Sequence, residues 1–89
     1  IMASKFNGTL YIGVTSNLIK RVYEYKHSLI DGFTKKYDVK DLVYSEYFDN
    51  IVDAIFREKR LKTWQRSWKT KLINDFNPKW LDLYDNLLD

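Results

Sequence analysis

The chain has 89 residues, 45% hydrophobic and 17% aromatic, which predicts one folded domain over 1–89 with a small core and excludes a disordered segment. It has no Cys and one His, so disulfides, thiolate sites and His-rich metal sites are excluded; a metal would need oxygen ligands, which favours magnesium or manganese. The net charge is +3, unevenly spread: 57–71 holds seven basic residues and one acid, 72–89 four acids and one base.

A basic helical segment of this kind is either a polyanion-binding face, with nucleic acid the usual partner, or a solvated helix face. There is no signal peptide and no apolar run of membrane-spanning length, so a cytoplasmic protein with no membrane partner is expected.

Asn7-Gly8 reads as a type I′ hairpin turn, since both residues accept positive φ. The strand at 9–14 then pairs with 1–5, a first strand that looks truncated. Ser16 or Asn17 caps a helix over about 17–30, with Leu18, Val22 and Leu29 as its apolar stripe and Asp31-Gly32 as its end. "FTKKYD", 33–38, reads as a loop, and 39–48, rich in strand formers, as a long strand. Asp49 or Asn50 caps a helix to about Trp64, and another covers 65–76 until Asn77-Pro78 breaks it. "KWLDLYDNLL" is a short helix or an ordered tail packing Trp80, Leu83 and Tyr84. The sum is an α+β fold: a small three-stranded antiparallel sheet flanked by helices.

Four residues resist a purely structural reading. Strand side chains alternate, so Leu10, Ile12 and Val14 share one face, expected to be core, and Tyr11 and Gly13 the other. A Gly inside a strand marks either a bulge or the close approach of a ligand. Arg21 and Tyr25 are i and i+4 on one helix face, either a surface pair or the rim of a cleft. Glu58 falls on the apolar stripe of Ile51, Ala54, Ile55 and Leu61, where a carboxylate needs an ion-pair partner or a metal. His27 is expected on the surface at a helix end, and Trp64 and Trp68, i and i+4, as packing rather than stacking platforms.

Assembled, these residues resemble the GIY-YIG nuclease superfamily, most closely its small single-domain bacterial members. "TLYIGVTSNLIKRVYEY", "GFTKKY", "LVYSEYF", "AIFREKRLKTWQRSWK" and "NPKWLDLY" follow their order and spacing over nearly the whole chain. The resemblance implies a metal-dependent DNA endonuclease using magnesium or manganese, with DNA repair or recombination as its setting. Tyr11 matches the Tyr of the YIG half, beside the attacking water; Arg21 matches the Arg that stabilises phosphoryl oxygens. Tyr25 sits where members carry Tyr or His near the nucleophile, and Glu58 matches the single metal-binding Glu. Asn74 and Asn77 are the candidates for the family's late Asn. The GIY half belongs on the strand before the turn and supplies another Tyr, whereas this sequence begins at "IMAS", just after that position.

The chemistry this implies is coherent. Arg21 can make bidentate contacts to phosphate oxygens. A phenol titrates near 10, so Tyr11 needs nearby cations to act as base. Lys20, Lys35, Lys36, Arg57 and Lys62 are candidates for contact with the nucleic-acid backbone. A homodimer or larger partner protein would serve double-strand breaks. Two other readings stand beside the nuclease: an inactive nucleic-acid-binding module of the same fold, and a protein-interaction scaffold using Trp64, Trp68 and Trp80.

Overall fold

The structure, a computed structural model, describes residues 1–88. Its elements are β1 (Met2–Ala3), β2 (Leu10–Tyr11), α1 (Leu18–Lys26), α2 (Phe33–Lys36), β3 (Asp41–Leu42), α3 (Ile51–Thr63), α4 (Arg66–Phe76) and α5 (Tyr84–Leu87). The three strands form an antiparallel sheet in the order β2-β1-β3. The α+β class and the three-stranded antiparallel sheet match the expectation. The strands are far shorter than the expected 9–14 and 39–48, because the central strand offers only Met2 and Ala3 to both neighbours. Beyond the ladder, the Val43 and Tyr44 amides both donate to the Ile1 carbonyl.

Register and the twofold alternation of strand side chains build two cores. Met2 lies opposite both Tyr11 and Leu42, and these three share a cluster with Val22 and Tyr25 of α1 and Val39. Their neighbours Ala3, Leu10 and Val43 join the other face, with Tyr44, Ile73 of α4 and Trp80. Both sheet faces are therefore covered. This corrects the division into a core face with Leu10 and a bare face with Tyr11: the Tyr11 ring packs against its own cluster.

The β1–β2 turn also differs from type I′. The Gly8 amide donates to the Lys5 carbonyl at 2.9 Å, so Gly8 closes a turn whose interior holds Phe6 and Asn7. Only Asn7 has positive φ, at 57°. Gly8 is needed for space: a Cβ there would lie 2.4 Å from Ser4 Oγ, the group that accepts from the Thr9 amide.

Asn17 caps α1 by accepting from the Lys20 amide at 3.1 Å. The helix ends at Lys26, several residues before Asp31-Gly32, because Ser28 turns to φ 54°; Leu29 consequently leaves the stripe and is 64% exposed. The expected loop at 33–38 contains the short helix α2. Its cap, Gly32, has φ 115°, a conformation side-chain-bearing residues rarely adopt. Asn50 caps α3 through the Val52 amide at 2.7 Å. Of the stripe expected to bury α3, only Leu61 is buried; Ile51 and Ile55 are exposed, as are Val52 and Phe56.

The C-terminal segment is fastened by polar bonds. Buried Asn77 donates to the Val43 and Leu81 carbonyls at 3.1 and 2.8 Å and accepts from the Leu81 amide at 3.1 Å. Asp82 accepts from the Leu42 amide at 3.1 Å and pairs with Lys26.

Candidate active site

A cavity of about 640 Å³ opens between the sheet, α1 and α3. Tyr11, Arg21, Tyr25 and Glu58 all line it. Four side chains from β2, α1 and α3, far apart in sequence, thus meet at one concave surface.

Tyr11 reaches the cavity because its register partner, Met2, puts it on the α1 face of the sheet. Gly13 makes room for it. A Cβ at Gly13 would lie 2.9 Å from Tyr11 Cε2, inside ordinary contact distance, so any other residue would push the ring aside. The Tyr11 ring meets the Tyr25 ring edge-on, with centroids 5.6 Å apart. Tyr25 is buried in the same cluster as Val22, so α1 presents it as a core residue whose ring also lines the cavity, not as part of an exposed rim. Burial, then the adjacent Tyr11 phenol, push the Tyr25 phenol up to about 12, while Arg21 pulls the other way. At neutral pH Tyr25 is therefore a hydrogen-bond donor. Arg21, one turn before it, is exposed and near Glu24, Nε to Oε1 3.6 Å.

Glu58 comes from the opposite wall. Its side chain is only 16% exposed, and one oxygen lies 3.2 Å from Lys62 Nζ, one turn on along α3. Its ion pair is thus with Lys62 rather than with Arg57 or Arg21.

Arg57, read from the sequence as a phosphate contact, is engaged otherwise. Its Nε and Nη2 donate to Glu46 at 3.1–3.2 Å, and its guanidinium lies 5.1 Å from the Trp64 ring centre. Tyr44 donates its hydroxyl to the same Glu46 carboxylate. Burial opposes ionisation of Glu46, but Arg57 and Tyr44 outweigh it and hold the carboxyl below its ordinary range. Burial and Glu46 together push the Tyr44 phenol up to about 12. Tyr44, Glu46 and Arg57 all line the cavity. Sequence reading missed Tyr44 and Glu46; their i, i+2 spacing in an extended run was the available signal that both point the same way.

The remaining candidates are dispersed. Lys20 is exposed on α1 next to Arg21, and Lys35 and Lys36 are exposed on α2, outside the cavity lining. Lys35 pairs with Asp31 at 3.2 Å, and Lys36 lies 5.3 Å from the Tyr37 ring centre. Asn77 is consumed by its backbone bonds, and Asn74 accepts from the Trp80 indole at 2.6 Å. Neither lines the cavity. His27 is exposed at the end of α1, and Trp68 is 54% exposed with its ring edge-on to Trp64.

Among the described residues no three His, Asp or Glu side chains gather into a cage. Glu46, Asp49 and Glu58 bring carboxylates to the cavity lining, oxygen ligands of the hard type. One carboxylate suits magnesium, which keeps several waters when bound to protein. Glu46 is committed to Arg57 and Tyr44; of the other two carboxylates on the lining Asp49 is exposed and Glu58 partly buried, so Glu58 is the better placed ligand, in exchange for its contact with Lys62.

Residues 1–73 match the model of the GIY-YIG catalytic domain. A UPF0213 protein of Staphylococcus saprophyticus is 35% identical over 69 residues, covering 78% of this chain and 84% of its own length. UPF0213 proteins of Pediococcus pentosaceus and Natronomonas pharaonis are 39% and 34% identical over 67 residues, 75% of this chain and 70% and 79% of theirs. No solved structure gives a significant match. Among the described residues, no helix is long and apolar enough to cross a membrane.

Proposed function

This chain belongs to the GIY-YIG family, and we propose that its cleft is the active site of a metal-dependent DNA endonuclease. The observation that carries this reading is the convergence of Tyr11, Arg21, Tyr25 and Glu58 on one cavity. A water attacks phosphorus, a bond forms from its oxygen, the ester bond to the leaving oxygen breaks, and one proton must leave the water. Tyr11 accepts that proton as a phenolate, or as a phenol orients the water that loses it to solvent; the leaving oxygen takes up a proton from solvent. Tyr25 stays protonated and donates a hydrogen bond toward Tyr11. Arg21 faces the nonbridging oxygens and neutralises the charge that grows there, as guanidinium groups do at phosphate. Glu58 would hold magnesium or manganese, which when bound offsets charge on the leaving oxygen. Glu46 holds Arg57, the residue before Glu58, and so restrains α3 on its side of the cleft.

The test is nicking of supercoiled and branched DNA with magnesium, with manganese and with chelator. Nicking that needs the metal supports the reading. DNA binding that weakens with salt, without nicking under any condition, would replace it with the binding module.

A further inference from the structure

Tyr11 and Ile12 also form one side of a second, smaller depression of about 280 Å³, whose other lining includes Phe33, Lys62 and Lys69. Phe33 is 46% exposed, so its ring is open to a ligand from solvent. Its ring lies 6.2 Å from Tyr11 at an interplanar angle of 30° and 4.7 Å from Tyr37, itself half exposed. Gly32, with its φ of 115°, allows the turn that presents Phe33 here. Lys62 reaches both sites, since it lines this groove and contacts Glu58 at 3.2 Å. An aromatic surface flanked by two ammonium groups thus adjoins the proposed cutting site.

We infer that this groove seats one unpaired nucleobase of the DNA strand being cut, an inference that rests on the nuclease reading for its place beside the scissile phosphate. The base stacks on Phe33, and Lys62 and Lys69 hold the phosphates on either side. A base inside a duplex has both faces occupied by its neighbours, so only a flipped or single-stranded base can offer a face to Phe33. The two lysines belong to the basic stretch at 57–71, which matches a polyanion rather than an apolar peptide. The substrate class is therefore DNA with an unpaired nucleotide at the cut, such as a flap, gap or branch.

The experiment uses the full chain carrying Glu58→Gln, with single strands and matched duplexes labelled by 2-aminopurine at successive positions. Expected is a fluorescence change at one or two adjacent positions of the single strand and none in the duplex. Phe33→Leu should abolish that change and weaken single-strand binding roughly 10-fold, with Phe33→Tyr restoring both. Lys69→Ala should weaken binding and reduce its salt slope by about one. Phe33 and Lys69 lie outside the proposed catalytic set, so nicking of supercoiled DNA by the same variants in a Glu58 background is read separately. Nicking by the parent protein with a label response indifferent to Phe33, or equal affinity for duplex and single strand, overturns the groove and leaves the nuclease standing. A Phe33-dependent response in a protein that nicks nothing supports the groove and overturns the nuclease.

Discussion

The two walls of the cleft are built by different physics. The wall carrying Tyr11, Arg21 and Tyr25 stands on a hydrophobic cluster in which Met2, Val22, Val39 and Leu42 are at most 4% exposed. The wall carrying Glu58 is α3, which buries Leu61 and leaves Ile51, Val52, Ile55 and Phe56 in solvent. Polar ties add to that hold: Arg57 to Glu46, with Tyr44 donating to the same carboxylate. The phenols must meet a water and a phosphate within a few tenths of an ångström, and close packing supplies such positioning. A carboxylate that needs only one contact to a hydrated ion tolerates a softer mount.

This contrast can be broken by substitution. Tyr11→Phe should cost the most, about 100-fold or more in nicking with DNA binding retained, because proton transfer contributes on that scale. Asn77→Ala should come next, in stability: it strands the Val43 and Leu81 backbone groups and should lower stability by about 2–4 kcal/mol. Thermal unfolding measures it, and a melting temperature unchanged from the parent would contradict the fastening assigned to Asn77. Gly13→Ala should displace the Tyr11 ring and reduce nicking about 10-fold, with a melting temperature close to the parent's, since Gly13 is exposed and its φ is not in the left-handed region.

Two smaller effects appear with pH. The Tyr25 phenol is raised in the folded state, so its contribution to stability is complete below about 10, the ordinary phenol value, and is lost as pH rises through about 12. Tyr25→Phe should flatten the fall in melting temperature over that interval. Glu46 is lowered, so its contribution is present above the ordinary carboxylate range and fades as pH falls below it. Glu46→Gln should flatten that acid limb slightly, the pair being partly solvated. If Glu46→Gln left the melting temperature unchanged from acid to neutral pH, the polar tie would not hold α3 and the contrast would fail.

Much of this architecture was legible in the sequence where one local force decides. Asn17 and Asn50 cap their helices and Asn77-Pro78 follows α4, while the Gly two residues after Tyr11, expected to mark a bulge or a ligand, makes room for the Tyr11 ring itself. What was not legible depends on partners distant in sequence. Strand lengths are limited by a two-residue central strand, which propensity within 39–48 does not reveal. Helix spacing puts Tyr25 with Arg21 on a surface or a cleft rim, yet the sheet face it meets also carries Met2 and Leu42 and draws its ring inward. The stripe that singled out Glu58 does face the cleft, since Ile51, Ala54, Glu58 and Leu61 all line the cavity; what the helix pattern does not contain is that this face borders an open cleft, leaving Ile51 half exposed, instead of closing into core. Arg57 looked like a free cation because its partner Glu46 lies eleven residues earlier, beyond the i, i+4 spacing at which a helix pairs its own charges.

The most direct measurement of the central claim is nicking by Glu58→Ala beside the parent, in magnesium, with DNA affinity followed by anisotropy in the same buffer. The expected result is metal-dependent nicking by the parent, a loss of at least about 100-fold in the variant, and affinities within a few-fold of each other. Undiminished nicking by a folded Glu58→Ala would contradict the account, because the cleft would then be cutting without the carboxylate on its α3 wall.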